Sequence, residues 1–171
     1  MNDDWSARLE RLARTRNFDA ALALARQWTG AEPESADAWN GLAYICQLRG
    51  DLDQAQSAIA AAVKINPGHP GLLFECGVIE YRLKHYELAA ESFDACVHVC
   101  MESDDAYYRD AARIACGQSY FAARDYQHAA DAIDGVNPDS ATWLEGRLTA
   151  ARLASAIAEQ LSNTPAARMR V

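Results

Sequence analysis

The sequence predicts an all-α protein, an α-solenoid of about four helix hairpins with a C-terminal capping helix. The first observation is internal similarity at a shift of 34 residues, which aligns Trp5 with Trp39 and Ala21 with Ala55 and Ala89. The second is that prolines and glycines lie mostly between segments whose apolar residues follow helical spacing. A repeat of this length is typical of helix pairs that stack on one another.

The second copy shows most clearly how each hairpin is built. Residues 37–49 carry apolar side chains at helical spacing, and Gly50 and Asp51 then turn the chain. A second helix is predicted over residues 53–65, and the Asn-Pro-Gly sequence at 66–68 ends it. Each copy is therefore expected to form two antiparallel helices.

The repeats are predicted at about 2–35, 36–69, 70–103 and 104–138, and the fourth copy follows after a step of 40 residues. A single helical pattern then runs from Ser140 to about Leu161, which predicts a capping helix within residues 139–161. Residues 1–161 are expected to form one domain, and residues 162–171 are predicted to be a flexible tail.

The second copy resembles the tetratricopeptide repeat family, whose pattern has Trp, Leu, a small residue and Tyr on the first helix and Ala, Phe, Ala and Pro on the second. At those positions this chain has Trp39, Leu42, Ala43, Cys46, Ala55, Ile59, Ala62 and Pro67. The first copy departs from the pattern, with Arg8 at the leucine position and Trp28 where a small residue is usual. The resemblance covers about residues 2–138.

The resemblance implies a concave groove, lined by the first helix of each pair, that binds an extended segment of a partner protein. The residues at the groove-facing positions are Asn40, Tyr44, Gln47, Phe74, Val78, Tyr81, Arg82, Ile114, Gln118 and Phe121. The second copy also has Asp37 and Leu48 at such positions, and the first copy has Asp3, Ser6, Glu10, Ala13 and Arg14. This largely apolar lining suits a peptide with a few apolar anchors. An alternative is that some of the rings pack between repeats or under the capping helix.

Charge and composition exclude several classes of function. The net charge of −8 argues against nucleic-acid binding, because phosphate recognition needs a concentrated basic surface. No segment has the roughly 18 apolar residues of a membrane span, so membrane insertion is not expected. The acidic start of the chain lacks the features of an export signal, which predicts a cytoplasmic location. Ser6, Glu10, Phe74 and Val78 stand where chaperone-binding repeats have cations, so a carboxylate clamp is not expected.

The sequence predicts neither an enzyme nor a cofactor or metal site. Cys96 and Cys100 share a helix face, but His98 lies about 200° around the helix from Cys96, which does not suit a shared ligand set. The five cysteines are expected to be reduced and to serve as small apolar residues. No nucleophile–base pair or phosphate-binding glycine loop is recognisable.

Three interpretations of the binding role remain open. One is an adaptor or scaffold that grips a partner segment in the groove. Another is a chaperone similar in architecture to the translocator chaperones of bacterial type III secretion. The third is a scaffold that binds a folded partner through its convex face, or a chain that forms a homodimer through its end repeat, where Trp5 and Trp28 lie.

Overall fold

The computed structural model describes residues 4–103 and 106–163, and these are mostly helical. The helices are α1 (Trp5–Arg14), α2 (Phe18–Ala31), α3 (Ala36–Arg49), α4 (Leu52–Ile65), α5 (Pro70–Arg82), α6 (Tyr86–Glu102), α7 (Ala106–Ala122), α8 (Tyr126–Ile133) and α9 (Ala150–Ser162). Two short strands, β1 (Ala141–Thr142) and β2 (Leu148–Thr149), precede α9.

The chain divides into two compact units, one up to Ile79 and one from Glu80 onward. We call them the first and the second unit. The single domain expected over residues 1–161 stays a prediction. The expected flexible tail lies outside the described residues from residue 164 onward, and α9 continues to Ser162.

A left-handed residue recurs in the turn that joins the two helices of each pair. The φ angles are 56° at Arg16, 85° at Gly50, 65° at Lys84 and 66° at Arg124. The steps between these residues are 34, 34 and 40, the same steps by which the sequence copies are related. The left-handed turns therefore recur at the same steps as the sequence copies. Only Gly50 adopts this conformation without a Cβ penalty.

The strain in these turns makes Arg124→Gly a stabilising substitution. A left-handed residue with a Cβ costs about 1–2 kcal/mol, and the extra flexibility of glycine in the unfolded chain returns roughly half of this. We expect the free energy of unfolding, measured in urea, to rise by about 0.5–1 kcal/mol. Arg124→Ala is the control, since it removes the long side chain and keeps the Cβ. Equal stability changes in the two variants would show that the turn is not strained.

Small residues on the second helix of each pair allow the helices to approach one another closely. Ala21, Ala55, Ala89 and Ala129 are all fully buried, and they stand at the repeat spacing. Larger side chains fill the remaining space, with Ile59 fully buried in the first unit and Phe93 in the second. Each unit therefore has a core of the kind that the repeat pattern predicts.

The predicted capping helix is wrong in its first part. Residues 141–149 form an antiparallel hairpin in which Ala141 pairs with Thr149 and Thr142 with Leu148. Helix α9 begins only at Ala150, where the Thr149 side chain accepts a hydrogen bond from the Arg152 amide. Gly146, with a φ of 107°, has a backbone conformation that a helix cannot contain. Farther along, Leu153 and Ile157 pack against α8 residues such as Ile133, so α9 itself covers an apolar surface.

Candidate functional site

The first unit contains a cleft of about 970 Å³ between α1 and α3. Volumes of this size are at the upper end of the range for ligand-binding pockets. Its lining residues are Ser6, Leu9, Glu10, Ala13, Arg14, Arg16, Phe18, Trp28, Asp37, Asn40, Gly41, Tyr44 and Leu48. Helix α1 provides one wall, α3 provides the opposite wall, and the α1–α2 turn closes one end.

Most of these residues stand at positions that the sequence predicts to face a groove. Among the ten residues predicted for the site, Asn40 and Tyr44 line the cleft. Asp3, also predicted to face the groove, lies outside the described residues. The other groove-facing residues of the first copy and the two further ones of the second copy also line the cleft: Ser6, Glu10, Ala13, Arg14, Asp37 and Leu48. The cleft thus brings together the inner positions of two neighbouring repeats.

The deep part of the cleft is apolar and closely packed. Leu9 and Trp28 are buried, and a Cβ at Gly41 would lie 2.9 Å from Leu9 Cδ2 and 3.0 Å from Trp28 Cζ3. Trp28 stacks on Trp5 with ring centroids 6.5 Å apart. Its Nε1 donates a hydrogen bond to Glu32 Oε2 at 2.9 Å. These contacts fix the orientation of the indole that forms the floor.

This floor was not predicted from the sequence. Trp28 lies on the second helix of its pair, and Gly41 and Leu9 stand at helix-packing positions, so none of them was predicted to line the groove. One signal was available, because Trp28 replaces the small residue that the family usually has at this position. The large ring at this position lines the cleft and packs close to Gly41 of α3.

The α3 wall presents exposed apolar side chains. Tyr44 is 44% exposed and Leu48 is 41% exposed, one helical turn apart. The α1 wall is more polar, and its Glu10 and Arg14 lie within 3.8 Å of each other as an exposed ion pair. The cleft therefore offers apolar anchor positions beside charged groups of both signs.

The other predicted residues of the first unit lie outside the cleft lining. Gln47 is half-buried, and its Nε2 donates a hydrogen bond to Glu75 Oε2 at 3.2 Å, which joins α3 to α5. Phe74 and Val78 on α5 are also half-buried. Their contact with a partner stays a prediction.

In the second unit, Ile114 is a core residue, and its prediction as a groove residue is wrong. It is fully buried in a cluster with Ile133, Leu153 and Ile157. The reason is that α9 packs against both α7 and α8, so this position on α7 meets another helix instead of solvent. Arg82 is exposed, and Phe121 is half-buried with its ring against Tyr126 at 5.4 Å between centroids.

Tyr81 and Gln118 are also largely covered, at 6% and 8% exposure. Gln118 Nε2 donates a hydrogen bond to the Tyr81 hydroxyl at 3.2 Å, and this hydroxyl donates to Glu145 Oε2 at 3.3 Å. Burial, followed by the nearby Glu145 carboxylate, raises the pKa of Tyr81 to about 12. The hydroxyl therefore keeps its proton and its donor role at physiological pH.

The cysteines are in environments that disfavour nucleophilic chemistry. Cys46, Cys96, Cys100 and Cys116 are buried, and Cys76 is half-buried. Burial raises the pKa of Cys116 to about 12, and its Sγ donates a hydrogen bond to the Ala90 carbonyl. His98 is exposed and lies 3.5 Å from Asp94.

Within residues 4–103 and 106–163, no three His, Cys, Asp or Glu side chains are grouped as metal ligands. The helices of this part of the chain are also too short or too polar to span a membrane.

Comparison with known proteins supports the repeat interpretation. Residues 12–73 match the tetratricopeptide repeat family. Human cilia- and flagella-associated protein 70 is 32% identical over 78 residues, which are 46% of this chain and 7% of that protein. This chain therefore spans only a small part of that relative.

Two solved structures share the fold at low sequence identity. BtubC (BKLC) from P. vanneervenii superposes with a TM-score of 0.74 at 14% identity, over 98% of this chain and 75% of that chain. The TPR2B domain of yeast Sti1, solved in complex with pHsp70, has a TM-score of 0.62 at 15% identity, over 72% of this chain and 95% of that chain. The predicted all-α helical-repeat fold class is thus confirmed, and residues 12–73 are similar to the tetratricopeptide repeat family.

Proposed function

We propose that this chain binds an extended segment of a partner protein in the cleft between α1 and α3. In this role it acts as an adaptor or scaffold in the cytoplasm. The observation that supports this proposal most strongly is that Tyr44 and Leu48 present exposed apolar surface in a cleft that the buried Trp28 also lines. Tetratricopeptide repeats commonly serve as protein-interaction modules, and the Sti1 domain named above is an example with a bound protein partner.

The chemistry of the cleft favours a peptide over a small polar ligand. Exposed large apolar side chains reduce solubility, and where they line a concave surface they commonly mark an interaction site. Two side chains one helical turn apart can hold two alternate residues of an extended chain. The Asn40 amide can both donate to and accept from a peptide backbone.

Charge indicates what kind of segment fits. The two acidic residues are on the walls of the cleft, Glu10 on α1 and Asp37 on α3. Arg14 and Arg16 lie at the end that the α1–α2 turn closes. Because the whole chain carries a net charge of −8, long-range attraction favours a partner with net positive charge. We expect apolar anchors flanked by basic residues in the bound segment.

The test compares Tyr44→Ala/Leu48→Ala with the wild type in a pull-down followed by mass spectrometry, and then by calorimetry with the segment identified. Truncating a true anchor costs about 2 kcal/mol or more, so each substitution should weaken binding by roughly 30-fold. Helical circular dichroism should be unchanged, since both side chains are exposed. Leu88→Ala is the matched control, because Leu88 is a large exposed apolar residue on α6.

Retention of the partner by the folded double variant would overturn the cleft as the site and favour binding through the convex face. The same experiment separates the remaining interpretations. Capture of a secreted translocator would support a type III secretion-type chaperone. A molar mass of twice the monomer in light scattering would support self-association, and both of these interpretations stay predictions.

A further inference from the structure

The hairpin before α9 lies along α7 in the second unit. Strand β1 packs against α7, and Ser140 Oγ donates a hydrogen bond to Asp110 Oδ2 at 2.9 Å. Farther on, Glu145 Oε2 accepts from the Tyr81 hydroxyl, which is bonded to Gln118. Asp110 and Gln118 are about 12 Å apart along the helix, and the six residues 140–145 can span about 20 Å when extended. The segment therefore runs along α7 between these two contacts.

This segment covers residues that the sequence assigns to partner binding. Tyr81 and Gln118 stand at groove-facing repeat positions, and both are now nearly inaccessible. The Tyr81 hydroxyl accepts one hydrogen bond from Gln118 and donates one to Glu145. An extended stretch of the same chain thus makes the contacts expected of a bound peptide.

The fit of this segment is incomplete. Gln118 Oε1 and Thr142 Oγ1 are buried, and neither has a hydrogen-bond partner among the described residues. Buried polar atoms without partners cost free energy, so the hairpin is a poorer occupant than a segment that donates to Gln118 Oε1. In addition, Trp143 is 69% exposed, so the largest side chain of the hairpin contributes little burial.

The two ends of the hairpin are joined by backbone hydrogen bonds that do not involve its tip. The Ala150 amide donates to the Ser140 carbonyl at 3.0 Å, and the Ala151 amide donates to the Pro138 carbonyl at 3.1 Å. These bonds tie the start of α9 to the end of the preceding loop. Both bonds lie outside residues 141–148, and Thr149 caps α9 through the Arg152 amide, so opening of residues 141–148 leaves these contacts in place.

We propose that the face of α7 beneath residues 142–145 is a second binding site, which takes an extended partner segment carrying a carboxylate, and that the hairpin is its exchangeable occupant. The carboxylate of the incoming segment replaces Glu145 on the Tyr81 hydroxyl. The site lies in the second unit and goes beyond the proposed function, because it does not depend on the cleft between α1 and α3.

The experiment removes the hairpin and supplies it in trans. In the variant, two glycines replace residues 141–148, which the close Ser140–Ala150 contact permits and which keeps Thr149 as the cap of α9. The probe is a synthetic peptide with the sequence of residues 139–149, and its binding is measured by calorimetry. The tethered hairpin competes at an effective concentration in the millimolar range, so we expect the wild type to bind this peptide at least about tenfold more weakly than the variant.

Two further variants test the contacts themselves. A peptide with Glu145→Gln should bind the hairpin-deleted variant about tenfold more weakly, because it lacks the charge that strengthens the hydrogen bond from Tyr81. Tyr81→Phe in the variant should weaken binding of the unchanged peptide and remove the difference between the two peptides. A folded variant that does not bind the peptide would overturn the proposal.

If the hairpin-deleted variant does not fold, amide hydrogen exchange on the wild type tests whether the hairpin is exchangeable. An exchangeable hairpin opens below the free energy of global unfolding, so the Thr142 and Leu148 amides should exchange faster than those in the middle of α7. Exchange of both sets at the same free energy would make the hairpin a permanent part of the core. That outcome would also overturn the proposal.

Discussion

Phe93→Ala in α6 is expected to lower the free energy of unfolding by about 3–5 kcal/mol. Phe93 is the largest fully buried side chain of the described residues, and it stands at the large-residue position of the third repeat. Truncation removes the transfer free energy of the ring and leaves a cavity that the surrounding alanines cannot fill. The loss is to be measured by urea unfolding followed by circular dichroism.

Leu88→Ala provides the control on the same helix. Leu88 is 48% exposed, so its truncation should change stability by no more than about 0.5 kcal/mol. Both substitutions place alanine in α6, which keeps helix propensity nearly constant. Similar losses for the two variants would mean that Phe93 is not packed as described.

Gly117→Ala in α7 is expected to lower stability by about 1–3 kcal/mol, although alanine is the better helix former by about 1 kcal/mol. The added Cβ would lie 2.8 Å from Ile133 Cγ2, 3.1 Å from the Ala129 carbonyl oxygen and 3.3 Å from Leu153 Cδ2. The carbonyl oxygen belongs to the backbone of α8 and cannot rotate away. The helices must therefore separate, which loosens the core between α7, α8 and α9.

Gly30→Ala in α2 is the matched control for this substitution. A Cβ at Gly30 would have no atom within 4 Å, so only helix propensity acts, and stability should rise by up to about 1 kcal/mol. The two substitutions are chemically identical and are expected to differ in sign. If Gly117→Ala also stabilised the protein, α7 and α8 would not be in the close contact described here.

Much of the fold follows from the sequence because the repeat fixes positions in groups. Once Ala55 is recognised as a packing residue, Ala21, Ala89 and Ala129 follow from the period, and all four are buried. The left-handed residues at Arg16, Lys84 and Arg124, which were not predicted, lie at the same repeat steps from Gly50, although their side chains give no local signal. The repeat period can therefore identify equivalent positions even where the residues themselves have no strong local preference.

The hairpin lies beyond the last copy, where no period constrains the interpretation. Trp143, Leu144 and Leu148 have a spacing that fits a helix, and only Gly146 argues against one. Tertiary contacts determine the structure of this segment. Thr142 is buried against α7, and Glu145 accepts a hydrogen bond from Tyr81, which is distant in the sequence. Contacts between residues so far apart leave no mark in a local pattern.

The candidate site was predictable in part for the same reason. Tyr44 and Asn40 follow from their repeat positions, and both line the cleft. Whether such a position is accessible depends on what packs over it, and this is why Ile114, Tyr81 and Gln118 are covered in the second unit. The repeat register predicts which side of its helix a side chain faces. Whether that side chain is exposed depends on which other parts of the chain pack over it.

Gly50 is the only glycine among the four left-handed residues at 16, 50, 84 and 124, and this bears on how the chain folds. Stacked repeats can nucleate at any pair and then grow by adding neighbours to a formed template. Closing a hairpin is easiest where the turn carries no steric penalty, and in the first unit that is the turn at Gly50 between α3 and α4. We expect this pair to be the folding nucleus. Because α3 also carries Tyr44 and Leu48, the wall of the cleft that we propose to bind the partner belongs to the helix pair that we expect to form first.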